Sequence, residues 1–330
     1  MARSSPHPAL VAPDLARPMT LEMAETALDG LRHARHDLFA GPPPENARRG
    51  IDVLRRDDLP TVFRQACNSF FRAHGRFPDL ITPRSTVDHF FALKFFHPIP
   101  LPVPADKLEA KRHAPAEVVR DVGLARRPWI GTEPALPPDG ALPPGHYVFK
   151  ISNGNAMQMP VDWPPSPQTR AAAAKAGRAW RRTRYGLHWG EWWYACVRPR
   201  FFLEEDLSDA MAGRPECKIF VREGVPKLFF TVREPPGEPR RYRLFTPELT
   251  PLEGTPRGAR GDDVGPPERI GLMLRAAAEI GRGFRLVRVD FLNSRGPKPI
   301  LGELTLCHQN ALQPYVPRGL DAEIRRRLFE

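Results

Sequence analysis

The sequence predicts a mixed α+β fold, arranged as one large domain or as two to three lobes, and three observations support this. Its 330 residues are 41% hydrophobic and 26% charged, which is enough apolar material to bury a core. Short β patterns such as HYVFKI and FRLVRVDFL alternate with helical stretches. Forty prolines and 25 glycines without a Gly-X-Y period indicate many turns, and they exclude collagen and long uninterrupted helices.

The front third of the chain predicts a helical region, residues 1–104. We expect residues 1–18 to be disordered, one helix over 20–39, a proline-rich break at 41–45 and a second helix over 59–74. The segment STVDHFFALKFF (85–96) carries apolar residues at the spacing of one buried helical face. The run PIPLPVP (98–104) cannot be helix interior because proline lacks the amide donor, so we place the boundary there.

The remainder predicts two lobes, residues 105–203 and 204–330. In the first we expect a short helix from 106, a strand over 146–151 that ends in the polar loop SNGNA, a helix over 168–184, and strands across WWYACVRPRFFLEE (192–205). In the second we expect a β-hairpin of 218–221 and 227–232, a loop over 253–267, a helix over 268–281, and strands over 284–292 and 299–306.

The net charge of +11 is weak evidence for nucleic-acid binding. Only eight of the 49 basic residues are lysine, and such an arginine bias often reflects a GC-rich genome. The arginine clusters lie in separate parts of the chain and are typical of solvated faces. Because guanidinium groups suit phosphate and carboxylate groups equally well, we expect acidic small molecules or polymers as partners, and no nucleic acid.

Cysteine usage and hydropathy limit the class of protein further. The four cysteines form no CxxC pair and no zinc-type spacing, so we expect neither a disulfide framework nor structural zinc. We see no apolar run of signal-peptide length and no 18 consecutive apolar residues. The sequence predicts a soluble, cytoplasmic protein and leaves peripheral membrane association open.

The informative pattern is a set of charged residues on otherwise apolar strands. Any one of them could simply face solvent, but their order suggests a site. A lysine before a glycine-containing loop can bind phosphates, an acidic pair can hold adenine and ribose, and two carboxylates on adjacent strands can converge on Mg²⁺. The residues are Lys150, Glu204, Glu205, Arg288, Asp290 and Glu303.

Several motifs in this order resemble the ATP-grasp superfamily, and within it the teichuronopeptide-biosynthesis (TupA-like) family, which is found with cell-surface polysaccharide genes. The resemblance covers about residues 77–321, through FPDLITPRSTVDHFFALK, ADKLEAKRH, LPPGHYVFKISNGN, YGLHWGEWWYACVRPRFFLEEDL, CKIFVREGVPK, LVRVDFL and GELTLCHQNALQPYVP. The first 76 residues lie outside it. The resemblance implies an ATP-grasp fold, in which two α+β lobes clamp ATP.

The resemblance also implies a role for individual residues. It assigns two lysines and a loop to the phosphates, two glutamates and a backbone segment to adenine and ribose, two carboxylates to Mg²⁺, and one arginine to the developing charge of an acyl phosphate. The phosphate residues are Lys107 and Lys150 with the loop Ser152, Asn153 and Gly154. The adenine and ribose residues are Glu204, Glu205 and Leu207. The Mg²⁺ ligands are Asp290 and Glu303, and the arginine is Arg288. Lys150 and Arg288 are the catalytic candidates.

The sequence departs from the superfamily pattern beside the metal site. Thr305 stands where many members place a metal-binding asparagine, and Asn310 is the alternative ligand. The loop SNGNA has one glycine where many members have several. His308 in CHQNA could be a general base or an acceptor-site hydrogen-bonding group, although a lone histidine beside a strand end is more often a structural donor.

The chemistry implied by the resemblance is ADP-forming ligation of a carboxylate to an amine through an acyl phosphate, with ATP and Mg²⁺, in the synthesis of a cell-surface polysaccharide or teichuronopeptide-type polymer. The substrates would be a small molecule or polymer that bears a carboxylate, and an amine acceptor. Two alternatives stay open: a grasp-type sugar kinase or glycosyl-transfer role in capsule assembly, and a non-catalytic module that binds an acidic polymer.

Overall fold

The computed structural model describes residues 18–34, 57–234, 237–255, 259–293 and 296–330. The described residues form a mixed α+β arrangement with two β-sheets, which confirms the predicted fold class. The helices are α1 Leu21–Ala34, α2 Leu59–His74, α3 Thr86–Phe96, α4 Ala116–Asp121, α5 Pro167–Arg182, α6 Ser208–Met211, α7 Ile270–Gly281 and α8 Arg318–Phe329. The predicted disorder of residues 1–18 and the proline-rich break fall almost entirely outside the described residues.

The larger sheet contains eight strands in the order β1-β12-β11-β6-β7-β8-β10, with β9 paired to β8. Its central pairs are antiparallel, and the β6–β7 pair is the predicted hairpin. The strands are β1 Gly123–Leu124, β6 Glu216–Arg222, β7 Val225–Arg233, β8 Arg241–Phe245, β9 Pro251–Leu252, β10 Ala259–Arg260, β11 Val287–Leu292 and β12 Ile300–Thr305.

The two faces of this sheet bury different sets of helices. Successive residues of a strand point to opposite faces, so Cys217 and Ile219 of β6 pack against α4 and α7, while Phe220 faces the other way. That second face is covered by α1, α2, α3 and α8. The N-terminal helices therefore complete the core of the large sheet.

The smaller sheet has four strands in the order β2-β5-β3-β4. These are β2 Trp129–Gly131, β3 Gly145–Ile151, β4 Gln158–Trp163 and β5 Phe201–Glu205, all antiparallel. Helix α5 covers one face, where Phe149, Phe201 and Leu203 are buried. The predicted lobe boundary at 203/204 falls inside β5, and the division of the chain into lobes stays a prediction.

Two local predictions need correction. Residues Trp192–Cys196 form a 3₁₀ helix instead of a strand, and only Phe201–Glu205 of the predicted 192–205 segment is extended. The side chain of Trp192 fills the core and donates to the backbone oxygen of Lys94 at 2.7 Å, which fixes a turn in place of a strand. Helix α3 is buried on nearly all sides instead of along one face, because α2, α8 and the 3₁₀ segments all pack against it.

Candidate active site

A charged cluster lies on the face of the small sheet opposite α5. Phe149 of β3 points into the core under α5, so its neighbour Lys150 points to the opposite face. Lys150 Nζ lies 2.6 Å from Glu204 Oε1, and Arg127 Nε lies 2.9 Å from Glu204 Oε2. Burial alone would raise the pKa of Glu204, but the two cations outweigh it and the pKa lies below its ordinary value. Glu204 is thus a charged anchor for Lys150 and Arg127.

Lys107 approaches the same cluster from a turn ahead of the 3₁₀ helix Ala110–His113, instead of opening a helix as predicted. Its ammonium group donates to the backbone oxygen of Gly154. Burial lowers the pKa of Lys107; the carboxylate of Glu303 opposes this shift and the charge of Lys150 adds to it. The two lysines assigned to phosphate from the sequence therefore lie in one electrostatic environment.

Lys111 is a third buried lysine at this place. It lies in the 3₁₀ helix Ala110–His113 and donates to the backbone oxygen of Leu301 on β12, so this segment bridges the two sheets. Burial, reinforced by the charge of Arg127, lowers the pKa of Lys111 to about 7. Neither Lys111 nor Arg127 is among the predicted residues, because in the sequence a lysine in a short helix and an arginine in a loop resemble ordinary surface groups.

The loop SNGNA contributes backbone atoms to this cluster more than it contributes side chains. Ser152 is fully buried, and its Oγ accepts from the backbone N–H of Arg200 at 3.2 Å. The carbonyl oxygen of Gly154 accepts from Lys107. Asn153 lies between them and is half-buried. These positions hold β3 and Lys107 together, and their contact with phosphate stays a prediction.

The residues predicted to grip adenine and ribose lie where β5 ends and the chain crosses to the large sheet. Glu205 Oε1 accepts from the backbone N–H of Arg126 at 2.9 Å. Leu207 is the residue that precedes α6. Glu204 holds cations, as described above. These contacts do not by themselves assign a nucleotide base to these residues, so that role stays a prediction.

A second charged network lies on the large sheet, on the face covered in part by the N-terminal helices. Arg288 donates to both oxygens of Asp290 at 2.7 Å, and Lys218 Nζ lies 2.8 Å from Asp290 Oδ2. Arg288 also donates to Thr305 Oγ1 at 2.9 Å and contacts the ring nitrogen Nδ1 of His308. Burial would raise the pKa of Asp290, but Arg288 and Lys218 keep it below its ordinary value.

Glu303 stands on β12, next to β11, and on the same face as Asp290, since Leu304 between Glu303 and Thr305 packs into the opposite core. Its side chain is exposed, and its charge acts on both Lys107 and Arg288. Across residues 18–34, 57–234, 237–255, 259–293 and 296–330 no group of three or more His, Cys, Asp or Glu side chains could hold a metal ion.

This donor set nevertheless suits Mg²⁺ bound together with phosphates. Mg²⁺ is usually held by one or two carboxylates and takes its remaining oxygens from phosphate and water. Glu303 is an exposed carboxylate, and Asp290 lies on the neighbouring strand with its charge shared between two cations. Thr305 Oγ1 already accepts a hydrogen bond from Arg288, so this hydroxyl would be a weaker third ligand for Mg²⁺.

One buried carboxylate beside these networks was missed from the sequence. Glu191 lies in the WGEWW run between Gly190 and Trp192 and is 8% exposed. Burial raises the pKa of Glu191 to about 7; the charges of Lys94 and Lys107 and a hydrogen bond from Asn310 oppose the rise, and Glu303 adds to it. A lone glutamate within a run of large aromatic residues was the available signal.

No family model matches the sequence, and no curated protein does either. Among solved structures, the chain is similar to the ATP-grasp ligase PsnB complexed with a minimal precursor, with 14% identity, a TM-score of 0.29, and 60% of this chain and 53% of that chain covered. It is similar to the D-cycloserine synthetase DcsG with 15% identity, a TM-score of 0.27, and 56% of each chain covered.

A third similar structure is the macrocyclase MdnC bound with the precursor peptide MdnA from Microcystis aeruginosa MRC, with 13% identity, a TM-score of 0.34, and 83% of this chain and 72% of that chain covered. The chain spans about half the length of PsnB and DcsG. Likeness at these values says nothing of this chain's substrates. Membership of the TupA-like family stays a prediction.

The described part of the chain contains no helix that is both long and apolar enough to cross a membrane.

Proposed function

We propose that the protein is an ATP-dependent, ADP-forming ligase that joins a carboxylate to an amine through an acyl phosphate. One observation carries this proposal: Lys107, Lys111, Lys150 and Arg127 lie together between the small sheet and β12, where Glu204 pairs with two of them and the charge of Glu303 acts on Lys107. Partly buried cations that outnumber their carboxylate partners are costly unless an anion joins them. A polyphosphate chain is an anion of suitable charge and length.

Each basic side chain has a distinct part in binding the phosphates. Glu204 holds Lys150 and Arg127 in fixed positions, so little side-chain freedom is lost when phosphate binds. Lys107 and Lys111 are desolvated, which strengthens their attraction to a charged oxygen. Positioning and charge neutralisation are the terms that dominate phosphoryl transfer, and no covalent enzyme nucleophile is needed.

Asp290 and Glu303 are the carboxylates that would hold Mg²⁺, which when bound neutralises phosphate charge. Arg288 lies between Asp290 and His308 with its guanidinium already oriented by the Asp290 carboxylate. This preorganised cation would stabilise the negative charge that develops when the amine attacks the acyl phosphate. The TupA-like resemblance further suggests cytoplasmic substrates of cell-surface polymer synthesis.

The test is nucleotide binding and turnover with matched lysine variants. Millimolar Mg-ATP or its non-hydrolysable analogue AMPPNP should raise the melting temperature, because a ligand that binds only the native state stabilises it by mass action. Lys150→Met should abolish most of the shift, whereas Lys175→Met, an exposed lysine on α5, should keep it. No shift in correctly folded wild-type protein would refute the proposal.

A second candidate, a non-catalytic module that binds an acidic polymer, is favoured by one feature. Both oxygens of Asp290 are already bonded to cations, which weakens it as a metal ligand. The two functions differ in turnover. With Mg-ATP and the proteinogenic amino acids, each of which brings a carboxylate and an amine, a ligase releases ADP and phosphate, whereas a binding module releases neither.

A further inference from the structure

Two neighbouring oxygen atoms in the interior lack a hydrogen-bond donor among the residues that the structure describes. They are Oε2 of Glu191 and Oδ1 of Asn310, and both are shielded from solvent. The two side chains are adjacent, since Asn310 hydrogen-bonds the Glu191 carboxylate. A buried acceptor without a donor costs about 1–3 kcal/mol, so two of them side by side indicate a missing donor.

The surrounding structure fixes both acceptors in place. Lys94 Nζ donates to the backbone oxygens of Trp189 and Asn310 at 2.8 and 2.7 Å, so two of its three protons are directed to backbone oxygens. The backbone N–H of Glu191 donates to Gly186 at 2.9 Å. One buried lysine thus ties the loop that carries Glu191 to the loop that carries Asn310.

The loop of Asn310 is also held in an unfavourable conformation. Gln309, Asn310 and Ala311 all have left-handed backbone angles, with φ of 48°, 58° and 59°. Such angles cost non-glycine residues free energy and persist where the surroundings impose them, commonly at functional sites. His74 contributes to this restraint, since its Nε2 contacts the Ala311 oxygen at 2.9 Å.

The pair of acceptors lies beside the site already described. The charges of Glu303 and Lys107 both act on the Glu191 carboxylate. The charge of Glu191 acts in turn on Tyr194, whose ring centroid lies 4.8 Å from that of Tyr185. Glu303 belongs to the large sheet, and its charge also acts on the phosphate-binding candidate Lys107. A group bound at Glu191 would therefore lie within electrostatic reach of Lys107, which the proposed function assigns to the phosphates.

We propose that Glu191 and Asn310 form the binding site for the ammonium group of the acceptor amine. This inference rests on the proposed function. An ammonium group carries several N–H donors and a positive charge, so it can satisfy both acceptors and pair with the buried carboxylate. A phosphate or a second carboxylate offers neither. Before the amine attacks the acyl phosphate, the bound ammonium group must give up a proton, and the Glu191 carboxylate that holds it is the acceptor.

Crystals of the full-length protein soaked in rubidium chloride test the site without any substrate. Rubidium is close to ammonium in size and scatters anomalously. We expect an anomalous peak within bonding distance of Glu191 Oε2. The peak should be lost in Glu191→Gln. It should be kept in the matched control Glu279→Gln, which changes a carboxylate of α7 that pairs with Arg282. Methylammonium should displace the rubidium, whereas sodium at the same concentration should not.

The soak of wild-type crystals is enough to decide the question, without the variants. A wild-type soak without a peak at Glu191 overturns the proposal, and so does a peak that sodium removes and methylammonium leaves, which would define an alkali-metal site. Because the soak contains no nucleotide, its result is independent of the ligase test. Rubidium and methylammonium binding without any Mg-ATP shift would keep the cation site and refute the ligase function.

Discussion

Individual residues at this site are charged groups whose burial is only partly compensated. Glu204 has two cations, Asp290 has two cations, and Lys111 has one backbone oxygen as its hydrogen-bond acceptor among the described residues. Removing one member of a buried pair leaves an uncompensated charge, whereas replacing an unpaired buried charge with an apolar group removes a cost. Variants of these residues should therefore separate stability from function.

Lys111→Met should stabilise the protein while it weakens nucleotide binding. The pKa of Lys111 is lowered from 10.5 to about 7, so the folded state binds fewer protons than the unfolded state between these values. Wild-type stability therefore rises with pH over that range, and the penalty is fully present below pH 7. We expect Lys111→Met to add on the order of 1–3 kcal/mol at pH 7 and less at pH 9.

Urea unfolding at both pH values measures this effect, and the Mg-AMPPNP thermal shift measures binding. Lys175→Met supplies the matched control, because it removes the same charge from an exposed position and should change neither quantity. If Lys111→Met destabilised the protein at pH 7, the burial of an uncompensated charge at this position would be disproved.

Asp290→Asn and Glu303→Gln should differ in stability although both remove a predicted Mg²⁺ ligand. Asp290 neutralises Arg288 and Lys218 in the interior, so its loss should cost about 3 kcal/mol. Glu303 is exposed, and its change should stay within about 0.5 kcal/mol. Glu303→Gln should still lower turnover on the order of a hundredfold. Melting curves and ADP release measure the two effects, and a stable Glu303→Gln variant with full activity would remove Glu303 from the metal site.

At the scale of elements, sequence periodicity predicted strands and helices well where apolar residues alternate with polar ones. The β6–β7 hairpin, α2 and the β11–β12 pair appear close to their predicted positions. The failure came at 192–196, because a short apolar run fits a buried turn as well as a buried strand. The pattern of charged residues on apolar strands singled out Lys150 and Glu204, whose side chains form an ion pair at 2.6 Å, while their role in a site stays a prediction.

Residues whose role arises from folding gave no comparable signal. Lys111 joins the cluster because the 3₁₀ helix Ala110–His113 lies against β12, and Arg127 joins it because the segment between β1 of the large sheet and β2 of the small sheet passes Glu204. Glu191 becomes a buried acceptor only because the loop at 309–311 adopts left-handed angles and Lys94 anchors it. Neither effect can be read from local sequence.

The loop that carries Glu191 depends on a glycine next to it. Gly190 has φ of 78°, and a Cβ there would lie 2.5 Å from the Cβ of Ala66 and 3.1 Å from the ring of Phe95. Gly213 has φ of 73°, with no atom within 4 Å of a Cβ. Gly213→Ala should cost about 1 kcal/mol for the backbone alone, and Gly190→Ala about 3 kcal/mol or more. If chemical unfolding showed the same loss in free energy of unfolding for both variants, tight packing of this loop would be contradicted.

At the scale of the whole molecule, the N-terminal helices and the C-terminal helix share one core with the large sheet. Thr86 Oγ1 donates to the backbone oxygen of Asp321 at 2.9 Å, and Phe90 packs edge-on against Phe329 with ring centroids 5.4 Å apart. Phe220 of β6 belongs to the same buried cluster. The predicted boundary at residue 104 therefore separates segments that bury each other's apolar surface.

A fragment of residues 105–330 should consequently fail to fold as an intact unit. Without α1, α2 and α3, one face of the large sheet would expose Phe220, Phe230 and Leu244, all of which are buried in the full chain. Each such side chain loses roughly 1.5–3 kcal/mol of burial, which exceeds the margin by which most domains are stable once several are summed. Thermal unfolding followed by near-ultraviolet circular dichroism should show no cooperative transition for the fragment and one for the full chain. A fragment that melts cooperatively at the full chain's temperature would show that residues 105–330 fold without the N-terminal helices and would contradict the shared core.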